Sequence, residues 1–167
     1  MLFLKKTQRD DTMTLYKHIT IKWSYPTEID QILQTEDMND IGIYYISRVF
    51  GKKESILYIG KTTHSFGSRL ESHKEKWLDK YKGTKYVRLG RIVHPRFIFS
   101  KKRKALINDA ERTIIFYLSN LDEQGLIANI ASTKSTAVEH TLKIKNIGYK
   151  GQLPKVLYIP EDMMIKN

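Results

Sequence analysis

Two short runs, Gly42-Ile43-Tyr44-Tyr45-Ile46 and Leu57-Tyr58-Ile59-Gly60-Lys61, restrict the fold more than any other part of the chain. Both are dominated by β-branched and aromatic residues, which fit a pleated and half-buried surface, so each reads as a buried β-strand. Between them Gly51-Lys52-Lys53 supplies a turn with one residue that tolerates positive φ, and the pair reads as a hairpin over 41–61. Glycine in or beside a strand marks a place where another backbone or a ligand comes close. Gly42 and Gly60 bracket the pair and are the first pointer to a site.

A chain of 167 residues with 41% apolar content has room for one domain around a real core. Its 29 Lys and Arg stand against 18 Asp and Glu, a formal charge of +11 that favours a polyanionic partner, nucleic acid first and an anionic membrane surface second. There is no cysteine. Disulfides, thiolate metal sites and a thiol nucleophile are therefore excluded, and any metal must be held by oxygen or imidazole. No apolar run reaches membrane-spanning length, and Met1-Leu2-Phe3-Leu4 is followed at once by Lys5-Lys6, so an intracellular, cytoplasmic protein without a membrane partner is expected.

Ahead of the hairpin, residues 1–13 read as loosely held, 14–23 as a strand without clean alternation, and Thr27 as the cap of a short helix through Gln34. Behind it, Ser65 is placed to cap a helix over 66–81. Phe66, Leu70, Trp77 and Tyr81 form one buried stripe of that helix, and Arg69, His73, Lys76 and Lys80 a basic one. A third strand is expected over 86–93, resuming after Pro95, and Lys101-Lys102-Arg103-Lys104 opens a helix over 103–121. Cations at a helix start oppose the macrodipole, a local cost that phosphate contact would explain. Lys76, Lys80 and this run are the candidate nucleic-acid contacts.

Glu111 shares a helical face with Ile107, Ile114, Ile115 and Leu118. A carboxylate there needs a cation, a metal or several donors, because an unpaired charge removed from water is costly. An ion pair with an arginine such as Arg69 on the neighbouring helix is the plain structural reading, and metal binding is the sharper alternative. Asn129 interrupts the apolar run 126–131, and two basic strands are expected over 142–151 and 153–159.

This ordered set resembles the GIY-YIG nuclease superfamily. Gly42-Ile43-Tyr44 and Tyr58-Ile59-Gly60 match the two halves of the name, Lys61 follows the second, Arg69 and His73 match in the first long helix, Glu111 in the second and Asn129 beyond it. Neither tripeptide is specific alone; the whole set over 42–129 is. The resemblance implies an α+β fold, with a small central antiparallel three-stranded sheet flanked by helices. It divides the chain into an N-terminal extension (1–40), a nuclease core (41–131) and a basic C-terminal extension (132–167) packed as part of one domain. It also implies a metal-dependent endonuclease hydrolysing phosphodiester bonds in duplex or branched DNA.

In that scheme Glu111 holds Mg2+ or Mn2+, and Arg69 serves the scissile phosphate or the leaving group. Tyr44 takes the proton of the attacking water, with Tyr58 and Lys61 close by, and His73 polarises it or relays its proton. Asn129 completes the set. A free tyrosine ionises near about pH 10, so Lys61, Arg69 and the metal would have to lower that value. The competing class is a catalytically inactive binding module that kept the fold. One active site cuts one strand, so a double-strand cut would need a dimer or two visits.

Overall fold

The computed structural model describes residues 17–96, 99–120 and 142–160. In chain order its elements are β1 (Lys17–Trp23), β2 (Thr27–Glu28), the one-turn helix α1 (Ile29–Ile32), β3 (Gly42–Phe50) and β4 (Lys53–Thr62). They continue with α2 (Phe66–Lys76), β5 (Thr84–His94), α3 (Ser100–Asn120), β6 (Leu142–Gly148) and β7 (Val156–Tyr158), with 3-10 turns at Glu36–Asn39 and Leu78–Lys80. The expected hairpin forms as β3 and β4, and Gly51 at its turn takes a φ of 63°.

The sheet is wider than the resemblance implies. β3 pairs antiparallel with β5, and β5 gives its other edge to β1. β1 then pairs in parallel with β6, β6 pairs antiparallel with β7, and β2 pairs with the start of β5. A mixed seven-stranded sheet curled into a half-barrel, in the order β4-β3-β5-β1-β6-β7 with β2 beside β5, replaces the small three-stranded antiparallel sheet. The fold is mixed α/β rather than that α+β arrangement.

The physical reason lies in β1. Ile19, Ile21 and Trp23 are buried while Thr20 and Lys22 between them are not, a clean period of two that a window starting at Thr14 obscures. On β6, Leu142, Ile144 and Asn146 are the buried set. Asn146 accepts the Trp23 indole N–H at 2.9 Å and donates to the Pro154 carbonyl at 2.8 Å, so a buried amide ties three segments together with its polar atoms paired.

Successive side chains on β3 point to opposite faces. Ile43 and Tyr45 join the core under α3, with Trp23, Ile107, Ile114, Leu118 and Ile144. Tyr44 and Ile46 join the other core, with Ile29, Ile32, Phe66, Leu70, Leu78 and Val87 under α1 and α2. The twin tyrosines therefore serve different layers.

Helix boundaries also differ from expectation. Ser65 caps α2, its Oγ accepting the Ser68 N–H at 3.3 Å, but the α-helix ends at Lys76 because Trp77 leaves helical dihedrals, with φ −151° and ψ −24°. Thr27 lies in β2 rather than capping a helix, and its hydroxyl donates to the Tyr25 carbonyl at 3.3 Å. β5 runs Thr84–His94, with residues 97–98 of the expected resumption outside the described residues; α3 starts at Ser100, and the last strand narrows to Val156–Tyr158. Among the described residues, no helix is long and apolar enough to cross a membrane.

Candidate active site

Tyr44 is fully buried, and the chain makes room for it by placing Gly60 directly opposite on β4. A Cβ at Gly60 would run into the Tyr44 ring and hydroxyl and into the Tyr58 ring, so only glycine fits under the pair. The Tyr58 ring stacks on Tyr44 with centroids 6.0 Å apart and planes at 20°, while Phe66 meets Tyr44 edge-on at 6.4 Å.

α2 brings its contribution at a spacing of four residues, which puts Arg69 and His73 on one face. Arg69 Nε donates to Tyr44 Oη at 3.3 Å, and His73 Nε2 lies 2.7 Å from the same oxygen. Arg69 also hydrogen-bonds Tyr58, so one guanidinium bridges both phenols. His73 does not sit on an exposed basic stripe. It is 6% exposed, enclosed by the rings of Tyr44, Tyr58 and Trp77, while Arg69, Lys76 and Lys80 stay at the surface.

The electrostatics reverse one expectation. Burial, reinforced by Tyr58, pushes the Tyr44 phenol well above its ordinary value, and the hydrogen bond and charge of Arg69 offset only part of this. Glu111 is near enough for its charge to push the same way. Tyr44 therefore keeps its proton at neutral pH in the free chain. Burial, followed by the charges of Arg69 and Lys76, holds His73 down to about 4, so it is neutral there.

Glu111 finds its cation on the strand rather than on α2. Lys61 Nζ lies 2.8 Å from Glu111 Oε2, with side chains 31% and 14% exposed, so the cation beside Glu111 is this lysine and not an arginine such as Arg69. The reason is topological: Lys61 follows Gly60 on β4, which packs against α3. Lys61 sits opposite Ile43 and Tyr44 opposite Gly60, so the ion pair and the tyrosine cluster lie at adjacent positions of β4 on opposite faces of the sheet, the pair toward α3 and the tyrosines toward α2. β4 ends the strand order, so the two groups flank the free edge of the sheet, near enough for the Glu111 charge to act on Tyr44.

Among the described residues there is no group of three or more His, Cys, Asp or Glu able to hold a metal ion. Glu111 alone has the donor chemistry for a hard cation that keeps most of its waters and takes phosphate oxygens from a substrate, as Mg2+ commonly does. It does not form an all-protein cage.

Lys101, Lys102, Arg103 and Lys104 lie in the first turn of α3, with the three lysines exposed. Asn129 lies outside the described residues. A cavity of about 480 Å³, lined by Tyr25, Glu28, Glu54, Tyr86 and Arg88 among others, includes none of the candidate residues. Its floor is structural: Arg88 is 6% exposed, donates to Glu54 Oε1 at 2.7 Å and Ser47 Oγ at 3.1 Å, and lies over the Tyr45 ring.

Sequence reasoning placed Trp77 in a buried stripe and missed its polar contact. Its indole Nε1 donates to His73 Nδ1 at 2.8 Å. The available signal was a donor-only side chain four residues beyond a histidine. In comparisons with known proteins, the chain matches no family model, no curated protein and no solved structure.

Proposed function

We propose that the chain is a metal-dependent endonuclease of the GIY-YIG type, hydrolysing phosphodiester bonds in DNA. One observation carries this reading: Tyr44, Tyr58, Lys61, Arg69, His73 and Glu111, scattered along the sequence, gather from β3, β4, α2 and α3 at one edge of the sheet. Phosphodiester hydrolysis asks for a proton acceptor beside the attacking water, cations on the phosphate oxygens and stabilisation of the departing oxygen. The cluster contains a candidate for each need.

Arg69 is exposed and gives its Nε to Tyr44 and a further N–H to Tyr58, leaving its remaining N–H groups to meet a phosphate. Tyr58 is part-buried where Tyr44 is sealed, so it is the phenol within reach of water and serves as proton acceptor. Tyr44 beneath it holds Arg69 and His73 in place. Glu111 would hold Mg2+ or Mn2+, which when bound supplies positive charge to the scissile phosphate.

The test is cleavage of duplex, branched and single-stranded DNA and of RNA by the purified chain with either metal. Wild type is expected to cut DNA, while Glu111→Ala and Arg69→Ala each lose about three orders of magnitude in rate with the fold retained. A folded wild type that cuts none of these substrates overturns the reading.

The alternative is a binding module without chemistry, and the Lys61–Glu111 pair favours it, because that carboxylate already has a cation. Titration with Mg2+ separates the two. Weaker binding by Glu111→Ala supports the enzyme, and equal binding by both proteins supports the module.

A further inference from the structure

The position of the His73 proton follows from Trp77. An indole N–H donates and cannot accept. With Trp77 Nε1 at 2.8 Å from His73 Nδ1, that nitrogen must present a lone pair. A neutral imidazole carries one N–H, which is then on Nε2, the atom 2.7 Å from Tyr44 Oη. The bond between them therefore has a direction: Nε2–H donates and the phenolic oxygen accepts. Arg69 Nε donates to the same oxygen. Two protein donors thus converge on it, and the hydroxyl proton of Tyr44 must point away from both.

We propose that Trp77 is a positioning residue that locks His73 as the Nε2–H tautomer, making His73 a standing donor to Tyr44 and closing any proton relay through it. Nε2 already has its proton and Nδ1 is occupied by the indole, so His73 cannot take a proton from Tyr44. It holds the phenol and stabilises negative charge on its oxygen instead. The ring is enclosed by Tyr44 and Tyr58 from the strands and by Trp77, whose centroids lie 5.6, 4.9 and 5.2 Å away, so it has little room to flip. The charged groups of α2 that act on it, Arg69 and Lys76, are both cations and disfavour the imidazolium that would set N–H against N–H. The lock itself does not depend on catalysis; only its effect on rate rests on the nuclease reading.

Long-range proton–nitrogen correlation spectra of the ¹⁵N-labelled chain between about pH 5 and 8 test this, with His73→Asn identifying the signals. The wild type should show protonated Nε2 and a lone pair on Nδ1 throughout. Trp77→Phe keeps a ring and removes the donor; it should give a mixture of tautomers and a higher pH of imidazolium formation. A wild type with Nδ1–H, or doubly protonated at pH 7, overturns the proposal, as does a Trp77→Phe ring still held as pure Nε2–H. If Trp77→Phe does not fold, the deciding measurement is the wild-type coupling across the hydrogen bond from Trp77 Nε1 to His73 Nδ1: its presence supports the lock and its absence overturns it. No substrate is involved. A chain that shows the lock but cuts no nucleic acid loses the nuclease reading alone.

Discussion

His73 shows how far a single side chain departs from what its spacing announces. Counting a straight helix through Tyr81 puts it on a basic stripe, but the helix breaks at Trp77 and the imidazole is buried against two phenols. That burial has a stability signature. The folded chain holds His73 to about 4 against 6.5 for the ordinary group, so between those values the unfolded state binds the extra proton. Stability is therefore expected to fall as pH drops from about 6.5 towards 4, by on the order of 2 kcal/mol. Urea midpoints at pH 7 and 4.5 for wild type and His73→Phe check it, the variant losing less on acidification. Asp40 and Glu54 act in the same direction in wild type and variant alike, so they cancel in the comparison. Burial pushes both carboxyls up, but Arg91 and Arg88 outweigh it, so their contributions are present above the ordinary carboxylate values and are lost progressively as pH falls from those values through the lower folded ones. The need of Glu111 for a cation was legible from its apolar helical face. Its choice of Lys61 was not, because that depends on which strand packs against α3.

Among the elements, the hairpin was readable because its residue types, its turn glycine and its period all agree. The Ser65 cap was readable for the same reason of local chemistry. The width of the sheet was not. Residues 17–23 and 142–148 have strand character in the sequence, but nothing local says that they lie side by side and in parallel. Asn146 is the residue that specifies the join, since its amide meets the Trp23 indole on one side and the Pro154 carbonyl on the other. Asn146→Leu leaves both partners buried without it. It is expected to cost about 2–3 kcal/mol, read as a lower urea midpoint. A midpoint unchanged from wild type would mean that the tie contributes nothing to the sheet.

For the whole molecule, a formal charge of +11 makes electrostatics the first term in any encounter with nucleic acid. The first turn of α3 is the sharpest local test, because Lys101, Lys102 and Lys104 are exposed where the helix dipole disfavours them. Replacing the three by Gln should weaken DNA binding and flatten the slope of log K against log salt, by about 0.9 for each phosphate that is no longer neutralised. Fluorescence anisotropy over a salt series measures it, and a slope equal to that of wild type would remove α3 from the interface. The parallel join of β1 to β6 also orders events in time. Trp23 and Asn146 are 123 residues apart in the chain, so β1 leaves the ribosome well before β6 and waits for its neighbour until those intervening residues have been made. The side chains gathered on β4 come from the stretch between Tyr44 and Glu111 and can assemble during that wait. The half-barrel shuts last, and a chain stopped after α3 would expose one edge of β1 to whatever strand it met.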